Sequence, residues 1–261
     1  MTGAGGFLGG RIRQSLSENG SIVIAISDKG NGLDLSPRIS CSMLGQLGPL
    51  HRDVLVLCGA MYYKGDDSQK LSEMHAYNCT YTQRIVDAFV RSGGTRVCFF
   101  SSYMQLYSES TQPYAGAYIE TKRRMLDYIN CQHRVEVLNL VIYDNWCSGD
   151  SRPKLVPLLL NALENGREFL IPAPYTLMDI VDSNVLAIEV AHQIQSFEPK
   201  SISMATGEPV TLGDLAHFME CSFGAAGSIK YGDESPVNRS LPYVDLPERQ
   251  LACAIGVLWR G

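Results

Sequence analysis

Apolar residues along the first 145 positions fall into two alternating patterns. Apolar runs at residues 21–26, 53–60, 96–102 and 135–142 predict buried strands, because a strand covered on both faces has no polar side to show. Between them, apolar positions recur at helical spacing. Phe7, Leu8, Ile12 and Leu16 form one stripe. Met74, Tyr77, Tyr81, Ile85, Ala88 and Phe89 form a second within residues 71–91, which Gly93-Gly94 closes. A third helix carries Tyr118 and runs to about Asn130. Strands alternating with helices predict right-handed crossovers, and so an α/β fold with a doubly wound parallel sheet and helices on both faces. After about residue 145 the pattern changes. Residues 148–153 read as a loop, a helix begins at Leu155 and is closed by Gly166, Pro172-Ala173-Pro174 is a turn, and short mixed segments follow. Residues 1–145 are thus the sheet domain. Residues 146–261 form a smaller C-terminal lobe, some of whose elements return to the main sheet.

The candidate chemistry begins with the first residues. The chain opens Met1-Thr2-Gly3-Ala4-Gly5-Gly6-Phe7-Leu8-Gly9, and glycines three apart precede the first helix. Glycine allows close backbone approach, and such a loop sets N–H groups and the positive helix end against a pyrophosphate. Loop, helix and strand in this order match the first unit of a dinucleotide-binding domain. That unit ordinarily starts with an apolar strand, of which only Met1 and Thr2 are present. The first strand is therefore expected to be truncated. A cut chain, a mis-set start and a sheet lacking its central strand stay open.

Tyr118 and Lys122 stand four apart, so a helix places them on one face. An ammonium near a phenol favours the ionised form, and a phenol with a reference pKa near ~10 then works closer to neutral pH. This suits a general acid or base for a carbonyl or alcohol.

A net charge of −5 gives no sign of a nucleic-acid or membrane partner, and no apolar run reaches the length of a membrane span. Eight cysteines have no metal-ligand spacing and most sit in apolar runs, as expected of free buried thiols in the cytoplasm. The five histidines show no paired spacing, so no metal is expected.

Taken together, these segments resemble the extended short-chain dehydrogenase/reductases of the NAD-dependent epimerase/dehydratase family, which modify nucleotide-linked sugars on a Rossmann-like fold. The resemblance rests on residues 2–9, Leu57-Cys58-Gly59-Ala60, Asn78, Phe100-Ser101-Ser102 with Tyr107, Tyr118 with Lys122, residues 178–182 and residues 206–212. It implies an NAD or NADP cofactor, NADPH being slightly favoured for a reductase. Gly3, Gly6 and Gly9 would hold the pyrophosphate, with Gly5, Phe7 and Leu8 also in the cofactor site. Ser27, Asp28 and Lys29 would meet the adenosine ribose, Asp28 suiting NAD and Ser27 with Lys29 suiting NADP. Leu57, Cys58, Gly59, Ala60 and Asn78 would complete the cofactor site. Tyr118 would move the proton, and Lys122 would bind the nicotinamide ribose.

The family's substrate-binding hydroxyl falls on Ser102 when aligned from the strand end and on Tyr103 when aligned from Tyr107. Ser102 is preferred, because a hydroxyl just past a buried strand points into the cleft. Ser101, Tyr103, Arg152 and Lys154 are the further substrate-site candidates, with Arg167 a third cation for phosphate. Met178 stands where an arginine is usual. Tyr103-Met104 replaces the Asp-Glu pair of the dehydratases, which disfavours dehydration. The resemblance therefore implies an oxidoreductase acting on a nucleotide-linked sugar, preferably a 4-ketosugar reductase with Tyr118 as proton donor. A 4-epimerase and a non-catalytic NAD(P)-binding sensor are the alternatives, and a homodimer is left open.

Overall fold

The computed structural model describes residues 1–27, 37–107, 116–225, 227–236, 240–248 and 251–254. In chain order these form α1 (Phe7–Glu18), β1 (Ala25–Ile26), β2 (Arg38–Ile39), α2 (Cys41–Leu44) and β3 (Val54–Leu57). There follow α3 (Ser68–His75), a π-helical segment (Ala76–Tyr81), α4 (Thr82–Arg91), β4 (Arg96–Ser102), a 3-10 turn (Tyr103–Leu106), α5 (Gly116–Asn130) and β5 (Glu136–Ile142). The second half contributes β6 (Asp144–Trp146), α6 (Leu155–Glu164), β7 (Phe169–Ile171), β8 (Leu177–Met178), β9 (Ile180–Asp182), α7 (Ser183–Gln195), β10 (Lys200–Met204), β11 (Val210–Thr211), α8 (Leu212–Ser222) and β12 (Ile229–Tyr231).

The central sheet is parallel, in the order β10-β5-β4-β3. Its two faces separate by residue parity, as the two-residue period of a strand requires. Leu55, Leu57, Val97 and Phe99 pack with Ile85, Phe89, Met125 and Ile129 of α4 and α5. Val56, Cys98, Phe100, Leu138 and Leu140 pack on the other side with Ile12 and Leu16 of α1 and Leu186 and Val190 of α7. Two cores on opposite faces make the sheet doubly wound. β10, from the second half of the chain, pairs with β5 and extends this sheet.

Met1 and Thr2 occupy the central position. Thr2 N donates to Val56 O (2.9 Å) on one side, and Ile26 N donates to Met1 O (2.8 Å) on the other. This stub joins β3 to the β1-β2 pair, whose strands are also parallel. Of the expected strand over residues 21–26 only Ala25–Ile26 is realised, paired in parallel with Arg38–Ile39, and Ile22 is 88% exposed.

The predicted helix over 71–91 is present, but it is interrupted by the π-helical turn. A π turn shifts the phase of a helix and is common at functional sites. The lobe has its own core, with Trp146, Leu159, Leu163, Ile180, Leu215 and Met219 at its centre. Asp179 organises its entrance. This carboxylate is 1% exposed and accepts from Thr206 N, Thr206 Oγ1, Gly207 N and Tyr243 Oη, each at 2.9–3.0 Å. All eight cysteines are free, but Cys131 and Cys221 are exposed rather than buried. Among the described residues, no helix is long and apolar enough to cross a membrane.

Candidate active site

The glycine loop closes a cleft of about 1050 Å³ at the carboxyl end of the sheet. Gly3 adopts φ +66°, and a Cβ placed on it would lie 2.6 Å from Gly59 N and 2.7 Å from Gly59 Cα. Only glycine allows both the left-handed conformation and this approach of two backbones. A Cβ on Gly9 would lie 2.0 Å from Gly3 O, so the helix start also packs directly on the turn. Gly6 caps α1 without any side-chain hydrogen bond, and no acidic residue occupies the first turn. The first-turn N–H groups are thus left for an external anion. A narrow backbone cradle with an uncapped helix end fits a dinucleotide pyrophosphate.

Gly3, Gly5, Gly6, Phe7, Leu8, Gly9, Ser27, Cys58, Gly59 and Ala60 line this cleft, as do Ser101, Tyr118, Lys122 and Arg152. Asp28 and Lys29 lie outside the described residues. Leu57 turns the other way into the core. Asn78 does not touch the cleft either. It is buried in the π-helical turn, where Oδ1 accepts from Met61 N (2.7 Å) and Nδ2 donates to Met61 O (2.8 Å) and Thr121 Oγ1 (3.1 Å). Asn78 therefore fixes the loop after β3 against α5 rather than holding a cofactor.

The hydroxyl preference is also corrected. Ser101 shares the strand face of Val97 and Phe99, towards α5, and lines the cleft. Ser102 does not line it. Its Oγ accepts from Met104 N (3.3 Å) and caps the 3-10 turn, while Gln105 accepts from Ser102 N (2.9 Å). Tyr103 points to Asp144, with Oη donating to Oδ2 at 3.0 Å.

Arg152 lies against the glycine loop, not in a separate phosphate subsite. Its guanidinium stacks 3.8 Å from the Phe7 ring centroid, and Arg11 covers the same ring at 3.9 Å. Asp150 and Asn145 hold Arg152 through four hydrogen bonds of 2.6–3.1 Å. Lys154 and Arg167 are exposed and do not line the cleft.

Tyr118 and Lys122 both face the cleft from α5. Lys122 is 5% exposed, its Nζ donates to Phe100 O (2.7 Å) and lies 5.8 Å from the Tyr118 ring centroid. The expected drop in the phenol's pKa is not found. Burial pushes Tyr118 up to about 12, with the neighbouring Tyr62 and Cys58 adding to the rise. Burial likewise lowers Lys122 to about 8. Removal from water disfavours the charged form of each group. Both groups therefore keep their protons at neutral pH, the amine standing much nearer to its titration.

Several lining residues escaped the sequence reading. Tyr77, Thr80, Tyr81 and Arg84 form one wall from the π-helical turn and α4. Tyr77 and Tyr81 follow the apolar stripe of a core helix, and nothing in that stripe signals a phase shift. Tyr62 is not itself in the lining but packs edge-on against Tyr118, with ring centroids 5.1 Å apart. It lies in a loop whose path the sequence does not fix.

The model of the NAD dependent epimerase/dehydratase family matches residues 1–175. The chain belongs to this family, whose members are short-chain dehydrogenase/reductase enzymes with a Rossmann fold. Comparison with curated proteins gave no match. Among solved structures, the chain is similar to dTDP-glucose 4,6-dehydratase DesIV from Streptomyces venezuelae, solved with NAD and TYD bound. The TM-score is 0.73 at 18% identity, over 93% of this chain and 87% of that one. It is also similar to MoeE5 in complex with UDP-glucuronic acid and NAD (TM-score 0.72, 20% identity, 99% and 91% covered). UDP-N-acetylglucosamine 4-epimerase from Bacillus cereus gives a TM-score of 0.69 at 16% identity, with 90% and 84% covered. At these identities the structures establish the shared fold.

Proposed function

We propose that this protein is an NAD(P)-dependent oxidoreductase acting at C4 of a nucleotide-linked sugar, as a 4-ketosugar reductase. The observation that carries the reading is the convergence of Tyr118, Lys122 and the glycine loop on one cleft. Gly3, Gly6 and Gly9 would hold the dinucleotide pyrophosphate, with Cys58, Gly59 and Ala60 beside the nicotinamide. When bound, the nicotinamide supplies a hydride to the sugar carbon. Tyr118 then donates its proton to the sugar oxygen as negative charge develops there, and the Lys122 ammonium stabilises the phenolate left behind. Ser101, on the same side of the cleft, supplies a hydroxyl to orient the oxygen.

A phenol kept protonated by burial suits the reductive direction, in which it gives a proton. Tyr103-Met104 supplies no acidic pair for elimination, which counts against dehydration. The second reading is a 4-epimerase, in which Tyr118 would both take and return the proton. It is favoured by the likeness to UDP-N-acetylglucosamine 4-epimerase.

Titration with NADH and NADPH, followed by UDP and dTDP added to the loaded protein, tests the reading. Saturable binding of one dinucleotide and then of one nucleoside diphosphate is expected. Failure to bind either dinucleotide would remove the cofactor role. Dinucleotide binding without turnover of any sugar nucleotide would favour a sensor.

A further inference from the structure

Among the described residues, no hydrogen bond reaches the Tyr118 hydroxyl, and the only hydrogen bond made to Tyr118 outside the helix ladder is at its backbone carbonyl. The direction of the phenol is therefore set by what packs on its ring. A proton donor must meet the reacting oxygen at one point and angle, so this packing bears on the chemistry. The ring of Tyr62 supplies it, edge-on to Tyr118 with centroids 5.1 Å apart and planes at 78°. Such perpendicular pairs are directional, because the positive edge of one ring meets the negative face of the other.

Tyr62 stands in the loop after β3, and the start of that loop is pinned. Asn78 Oδ1 accepts from Met61 N (2.7 Å) and Asn78 Nδ2 donates to Met61 O (2.8 Å), so the backbone next to Tyr62 is gripped on both sides. The same Nδ2 donates to Thr121 Oγ1 (3.1 Å), and Thr121 Oγ1 donates to Tyr118 O (2.7 Å). Asn78 and Thr121 are 4% and 2% exposed. One buried amide thus ties the loop to the backbone of Tyr118, and the two rings close the circuit. Tyr62 itself is 53% exposed, so it adds little to the core and its removal leaves no buried void.

We propose that Tyr62 is a positioning residue for proton transfer: its ring holds the Tyr118 ring in the orientation that presents the hydroxyl to the cleft. The contact also bears on the proton. Tyr62 from the loop, Cys58 from the end of β3 and Lys122 from α5 are the titratable groups around the phenol. Burial raises Tyr118 most, and Tyr62 adds to the rise. The inference rests on the reading of Tyr118 as proton donor.

The test compares Tyr62→Ala with Tyr62→Phe, which keeps the ring. In Tyr62→Ala, kcat with NADH and a 4-keto sugar nucleotide should fall about two- to tenfold, the worth of one aromatic pair. NADH affinity and Tm should stay as in the wild type. Tyr62→Phe should restore kcat. The second measurement is the ring-carbon NMR titration of Tyr118, assigned with Tyr118→Phe. The wild-type phenol should hold its proton to about pH 11, whereas in Tyr62→Ala it should ionise nearer its ordinary value of ~10. A folded Tyr62→Ala protein in which Tyr118 titrates as in the wild type overturns the assignment, as does an equal loss of kcat in the two variants. If the wild type reduces no ketosugar nucleotide, the proposed reaction falls, and the titration still decides whether Tyr62 controls the Tyr118 phenol.

Discussion

Gly3→Ala probes the cofactor cradle most sharply. The alanine would have to hold φ +66°, and its Cβ would meet Gly59 N at 2.6 Å and Gly59 Cα at 2.7 Å. Left-handed geometry costs a non-glycine residue roughly 1–2 kcal/mol. The clash is with backbone on both sides, so it is relieved only by moving the loop away from the end of β3. That movement tilts the first-turn N–H groups of α1 off the pyrophosphate. Each hydrogen bond to a charged group is worth about 1.5–3 kcal/mol, so misaligning two weakens binding by about 3–6 kcal/mol. This corresponds to a loss of more than a hundredfold in affinity. The assay is NADH titration followed by nicotinamide fluorescence, with thermal unfolding as the folding control. A folded Gly3→Ala protein that binds NADH within threefold of the wild type would refute the cradle geometry.

Other outcomes follow from the same structure. Tyr118→Phe should lower turnover by roughly 10²–10⁴ with dinucleotide affinity preserved, because general acid catalysis contributes that much. Phe7→Ala removes the ring held between Arg11 and Arg152, so stopped-flow displacement should show faster NADH release. Lys122 is held at about 8 in the folded protein and titrates near 10.5 when exposed. Between these values the unfolded chain binds more protons, so this residue's contribution to stability rises with pH through that window, while the ammonium needed at the site is lost. Denaturant titrations from neutral pH to about pH 10 should show that contribution absent in Lys122→Met. Asp179→Ala would leave the Thr206 and Gly207 N–H groups and the Tyr243 hydroxyl without their acceptor, at a cost of several kcal/mol. Calorimetric unfolding should show a lower Tm.

What the sequence disclosed was what local patterning governs. The apolar runs located β3, β4 and β5, glycine spacing located the cofactor loop, and the four-residue interval placed Tyr118 and Lys122 on one helix face. Questions of parity and distant contact were less legible. Ser101 and Ser102 differ by one position, and a one-residue step on a strand exchanges its two faces. The π-helical turn is silent in an apolar stripe, so the stripe does not show that Asn78 is buried against the loop after β3. Arg152 gave no sign that it would stack on Phe7. The titration of Tyr118 is not legible from spacing, which shows charge proximity, whereas burial depends on the whole fold.

Hydride transfer at a sugar carbon with Tyr118 as proton donor can be followed through nicotinamide absorbance while NADH- or NADPH-loaded protein meets a 4-keto sugar nucleotide, with Tyr118→Phe alongside. One cofactor should be oxidised per ketosugar consumed, and the rate should collapse in the variant. Interconversion of two epimers without net cofactor oxidation, or equal rates for wild type and variant, would contradict it.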